Sequence, residues 1–251
     1  MTTPRRSPKA VYLAGDNELV REFGALCTTA GIPVVCAHSP RGSGPPPRGF
    51  RVSATVPRSV VAAVELTNTD LAKKKRNLAA IDAALPPGVP VLTSAVTVTV
   101  GEQATWIQRP GRLVGIGAFP TLLAGPILEV TASLRTDSDS VGAAGRFLAG
   151  LGKEACVVQD RVGLVMPRLL CMVVNEAFFA LTEQIAAPAD IDTAMKLGTN
   201  YPKGPLEWAN SIGIRQVVAV LHSLRAATGE ERYRAAPLLY QMSFEAGSWN
   251  K

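Results

Sequence analysis

Between Leu164 and Leu181 the chain is apolar around nearly the whole helical circumference, interrupted only by Arg168, Asn175 and Glu176. A helix of that kind has to be buried on most sides, within a domain or against another subunit. The segment that follows is punctuated just as firmly. Pro188 and Asp190 restart a helix, since proline suits a first turn and aspartate is favoured near a helix N-terminus. Gly198 stops that helix, and Asn200-Tyr201-Pro202-Lys203-Gly204-Pro205 is a rigid turn that no helix can cross. The back of the chain is therefore helical throughout.

The front follows a different period. Lys9 to Asp16 is a short apolar run ending in turn chemistry and reads as a buried strand. Asn17 to Ala30 carries helical spacing at Leu19, Phe23, Leu26 and Cys27, and Pro33 to Ala37 is a second strand. That order is a βαβ unit and implies a parallel sheet. Arg41 to Gly49, rich in glycine and proline, is an extended or flexible loop. Further strands are predicted over 56–64, 89–92, 113–116 and 127–133, with helices over 69–85 and 138–151. The basic run Lys73 to Arg76 falls on the first of these helices and reads as a solvated face, with a phosphate contact as the alternative. The expected plan is a Rossmann-like parallel-sheet domain over 1–158 followed by an all-helical domain over 159–251.

Composition narrows the class. In 251 residues, 47% hydrophobic and 18% charged content fits a globular chain with a substantial core. No uninterrupted apolar run reaches the ~18 residues of a membrane span. Ala10 to Ala14 is too short for a signal-peptide core, so a cytoplasmic location is expected. Cys27, Cys36, Cys156 and Cys171 show no paired spacing and read as reduced thiols, with no metal site. The formal charge of +6 is spread among few aromatics, which argues against nucleic acid and suits a polyphosphate ligand.

Asp160, Gly163, Arg168 to Leu170, Asn175 to Ala177 and Met195 to Trp208 resemble the C-terminal domain of 3-hydroxyacyl-CoA dehydrogenases. The string DIDTAMKLGTNYPKGPLEWA is the most specific part of the likeness. It continues through Gly229-Glu-Glu-Arg-Tyr-Arg and Ala236-Pro-Leu-Leu. The resemblance implies an NAD-binding domain in front, an acyl-CoA ligand between the domains, and pairing through the helical domain. It also implies a G-x-G-x-x-G turn after the first strand, whose glycines let the backbone approach a pyrophosphate. Those three positions align with Ala14, Asp16 and Leu19, and the acidic ribose-binding residue aligns with His38. Arg41 would suit a 2′-phosphate.

The chemistry of the family needs a His as general base, a Glu that orients it, and a nearby Ser and Asn. By alignment the His position is Gly117 and the Asn position is Pro167. Glu129 retains the acid, with Arg112 or Arg135 as expected partners, and Thr97 retains a hydroxyl. The expectation from these departures is a family homologue with no cofactor, catalytically impaired or non-catalytic. It would keep acyl-CoA binding and serve as a binding protein or as the partner of an active homologue, in a homodimer or heteromer. Two alternatives stand beside it: an active NAD(P)-dependent oxidoreductase with a rebuilt site, and a structural assembly protein without a small ligand.

Overall fold

The computed structural model describes residues 9–15, 17–38 and 49–245. Its first half is an eight-stranded sheet in the order β3-β2-β1-β4-β5-β6-β7-β8. The strands are β1 Ala10–Gly15, β2 Val34–Cys36, β3 Phe50–Val52, β4 Val60–Leu66, β5 Val91–Ser94, β6 Leu113–Ile116, β7 Ile127–Thr131 and β8 Glu154–Val157. Every pairing is parallel except β6 with β7. The continuous apolar runs of β1 and β4 are explained by their central place, because both faces of a covered parallel sheet are buried.

Helices α1 (Asn17–Thr29) and α4 (Ser138–Gly150) cover one face, through Leu19, Phe23 and Cys27 of α1 and Ala144 and Leu148 of α4. Helix α2 (Leu71–Ala84) covers the other with Leu78 and Ile81. Asp70 caps α2 by accepting from the Lys73 N–H, which sets its start two residues inside the predicted 69–85 span. The run Lys73 to Arg76 is only partly a solvated face. Lys74 is fully buried and its Nζ lies 2.5 Å from Oε2 of Glu65, itself fully buried. Lys75 lies over the Trp106 ring. Strands β3 and β8 lie outside the predicted set. A one-turn helix, α3 (Val100–Gln103), follows β5.

The second half is helical: α5 Met166–Thr182, α6 Pro188–Thr199, α7 Pro205–Ile212, α8 Ile214–Thr228 and α9 Pro237–Met242. As its composition requires, α5 is central and packs against α7, α8 and α9. Val96 and Phe119, from loops at the edge of the sheet, join the helical core and tie the halves together. None of the described helices is long and apolar enough to cross a membrane.

The specific string in the helical half has a local physical reason. Asp192 on α6 accepts hydrogen bonds from the N–H groups of Leu206 and Glu207, so it caps the start of α7 from another helix. Gly204 must lack a side chain there, because a Cβ would fall 2.2 Å from Asp192 Oδ1. Asn200 takes the left-handed conformation that ends α6. Removing a helix cap typically costs ~0.5–2 kcal/mol, and Asp192→Ala is expected to lower stability by that amount in urea unfolding.

Candidate active site

The ends of β4, β5 and β6 are bound together by side chains. Asn68 Nδ2 donates to the Ala118 carbonyl at 3.0 Å, and Ser94 Oγ donates to Asn68 Oδ1 at 2.5 Å. Thr97 Oγ1 donates to the Asn68 carbonyl at 2.8 Å. Beneath this network, Glu65 accepts from Lys74, from Asn77 Nδ2 and from the Thr67 N–H. The edge is therefore rigid and polar, and it faces the helical half.

Two cavities open beside it. The first, of about 390 Å³, is lined by Gly117, Leu122, Pro126, Glu129, Cys156, Met166 and Pro167. The structure thus brings together Glu129, Gly117 and Pro167. Glu129 meets neither of its expected partners. Its carboxylate accepts from the N–H groups of Val165 at 3.0 Å and Met166 at 2.7 Å, at the start of α5. Arg112 instead donates to Asp82. A carboxylate at a helix N-terminus is favourable there, and Pro167 in the first turn has no N–H to satisfy.

The second cavity, of about 410 Å³, lies between the polar edge and the helical half. Asn68, Thr69 and Thr97 line one side, and Arg215, His222, Ser223 and Tyr240 line the other. Thr97 thus belongs to a different cavity from Gly117 and Glu129. His222, far from the other site candidates in sequence, is brought into it. No spacing signal links position 222 to position 97, because the link is the packing of α8 against the sheet edge.

At the first βα turn, Ala14 and Leu19 are buried in the cores on either side of the sheet. Their side chains fill helix–sheet packing space. Gly15 is the residue that needs its freedom: its φ is +142°, and a Cβ would lie 2.6 Å from the Leu66 carbonyl carbon. Lys73 Nζ donates to the Gly15 carbonyl at 3.3 Å. Burial pushes the carboxyl of Glu18, in the first turn of α1, above its ordinary range. Burial does the same to Glu22, whose Oε2 accepts from the Thr121 N–H. His38 is exposed past the end of β2. Asp16 and Arg41 lie outside the described residues.

Comparison with known proteins decides the family. Residues 53–161 match the model of the 3-hydroxyacyl-CoA dehydrogenase NAD binding domain, and residues 163–250 match that of the C-terminal domain.

The chain belongs to the 3-hydroxyacyl-CoA dehydrogenase family.

It is 30% identical over 176 residues to a probable 3-hydroxybutyryl-CoA dehydrogenase of Bacillus subtilis (strain 168), covering 70% of this chain and 61% of that one. It is 32% identical over 165 residues to a 3-hydroxybutyryl-CoA dehydrogenase of Bradyrhizobium diazoefficiens, covering 66% and 56%. The matched region thus spans about three fifths of these relatives' length. The (S)-3-hydroxybutyryl-CoA dehydrogenase structure from Ralstonia eutropha shares the fold, with a TM-score of 0.76, 23% identity, and coverage of 94% of this chain and 93% of that one.

The family assignment corrects one expectation. The departures at Ala14, Asp16, Leu19 and His38 pointed to a chain without a cofactor, but the sheet domain matches an NAD-binding model. A dinucleotide is therefore the cofactor implied for the family domain. The match begins at residue 53, after the first βαβ unit, so the altered turn lies outside it. The residues present fit such a group. At this turn Lys73 brings a positive charge beside the Gly15 carbonyl, while Gly15 itself packs against the Leu66 backbone, where a Cβ would fall 2.6 Å from the carbonyl carbon.

Proposed function

We propose that this chain is an NAD-dependent oxidoreductase acting on 3-hydroxyacyl thioesters of coenzyme A, with a rebuilt proton path and slow turnover. The observation that supports it most is the polar edge at Asn68, Ser94 and Thr97, opening on a cavity against the helical half. In open α/β sheets, ligands bind at the carboxyl ends of the strands. When bound, a nicotinamide dinucleotide supplies the acceptor for the electron pair leaving C3. The chain's own residues do the rest. Lys73, at the Gly15 turn, offers positive charge to the phosphates. Thr97 and Asn68, whose side chains are engaged within the edge network, form the polar wall against which the substrate oxygen lies.

A second reading rests on the first cavity. With glycine and proline in place of a base and an amide, and Glu129 held by two backbone N–H groups, that cavity carries no proton acceptor of the family kind. On this reading the chain binds an acyl thioester without turning it over, as the partner of an active homologue. Incubation with 3-hydroxybutyryl-CoA and NAD, followed by mass spectrometry of the thioester, separates the two. The proposal expects slow conversion to the 3-oxo product. Thioester recovered unchanged from a stoichiometric complex would leave the second reading.

Pairing of copies through the helical half belongs to the same proposal, supported by the exposed Met166, Leu169 and Tyr201 around α5. Sedimentation is expected to give twice the 26.4 kDa chain mass; a monomer at micromolar concentration would contradict it.

A further inference from the structure

The first cavity lacks the family's histidine, yet oxidation at C3 must release a proton. The second cavity is where the chain places a group able to take it. His222 lies on α8, exposed toward that cavity. Its ring stands 5.4 Å from the Tyr240 ring, which meets Phe244 edge-on at 5.0 Å. This aromatic column on α9 and just beyond it gives the imidazole a wall to rest against. Arg215, two turns away on the same face of α8, is anchored by donating from Nε to the Ser243 carbonyl at 3.0 Å. Across the cavity stands Thr97, the hydroxyl that aligns with the substrate-positioning serine implied by the family resemblance.

We infer that His222 is the acid–base group of this chain, serving across the second cavity in place of the histidine that Gly117 lacks. The inference rests on the oxidoreductase reading. In the oxidative direction the C3–H bond breaks, and its electron pair leaves with the hydrogen as hydride for the nicotinamide of the dinucleotide. The C3 hydroxyl loses its proton to the free imidazole nitrogen of His222, and the C–O bond becomes a carbonyl. One hydride and one proton leave the alcohol, so charge and electrons balance. Arg215 stabilises the negative charge growing on that oxygen before the carbonyl is complete. In reduction the same groups act in reverse.

Among the described residues, the groups facing His222 are few. On its own helix they are Arg215 and Ser223, on the α9 side Tyr240, and on the sheet side the uncharged Asn68, Thr69 and Thr97.

The test compares wild type with His222→Gln and His222→Asn in steady-state turnover of 3-hydroxybutyryl-CoA with NAD, beside NADH binding by fluorescence. Because His222 is exposed, both variants are expected to keep the wild-type melting curve. Loss of a general base lowers kcat by about a hundredfold or more. That loss is expected in both variants, together with disappearance of the acid limb of the kcat profile, while NADH affinity stays within about twofold. Wild-type rates and an intact acid limb in the variants would overturn the role of His222 and leave the oxidoreductase reading standing. A wild type that binds NADH but converts no thioester would overturn that reading, and the role of His222 with it.

Discussion

In a His222→Gln background, Gly117→His is expected to raise kcat for 3-hydroxybutyryl-CoA oxidation by about 10²- to 10⁴-fold, the usual worth of a positioned general base. The space for it exists. A Cβ at position 117 would sit 3.2 Å from Glu129 Cβ, 3.5 Å from Leu164 Cδ1 and 3.6 Å from Glu129 Oε2. The first contact is tight by a few tenths of an ångström, and the others are ordinary. Beyond it lies the cavity of about 390 Å³, roomy enough for an imidazole. The new ring would stand beside the carboxylate that now accepts from the Val165 and Met166 N–H groups. The gain should be smaller with His222 intact, because the substrate hydroxyl has a single proton to give. A soluble, folded Gly117→His variant with wild-type kcat would show that more than the base is missing, with Pro167 as the next position to restore.

The largest stability effect is expected at Lys74. Its ammonium and the Glu65 carboxylate are both fully buried at 2.5 Å, and Lys74 also donates to the Thr67 carbonyl. Lys74→Met leaves an uncompensated buried carboxylate, and breaking such a pair from one side costs about 3–5 kcal/mol. Glu65 would keep its bonds from Asn77 and the Thr67 N–H, which places the expected loss at the lower end. Adding Glu65→Gln should recover part of it, since the double variant buries no unpaired charge. Chemical unfolding of the three proteins reads the result. Equal stability of Lys74→Met and wild type would contradict the pairing. Because Glu65 precedes the polar edge by three residues, the variant should also weaken NADH binding.

The parts of the fold that were legible in the sequence are those in which burial is continuous. The runs of β1 and β4, the spacing of Leu19, Phe23 and Cys27 on α1, and the all-round apolar helix α5 each announce their environment. Strand β3 was not legible because two of its three residues are exposed and it borrows its pairing from β2. The reversal at β7 is invisible for another reason: residue alternation marks a face of a sheet but not the direction of a neighbour. At the site, Glu129 was legible as a retained acid, whereas its partners were not. They are backbone N–H groups, which every residue but proline carries, so no side-chain pattern points to them. Ala14 and Leu19 meet the same limit: both stand where the family pattern has glycine, and only the structure shows their side chains in the core and the demand for glycine at Gly15. His222 became a candidate only when α8 was seen to pack across from Thr97.

The central claim is that this family member still performs redox chemistry at C3. The most direct measurement is the loss of NADH absorbance when the purified wild-type chain meets acetoacetyl-CoA. Turnover that is slow but proportional to protein concentration, with 3-hydroxybutyryl-CoA as the product, is the predicted result. NADH that binds and is not consumed over many hours, while Gly117→His consumes it, would contradict the claim and mark the wild type as a binding protein.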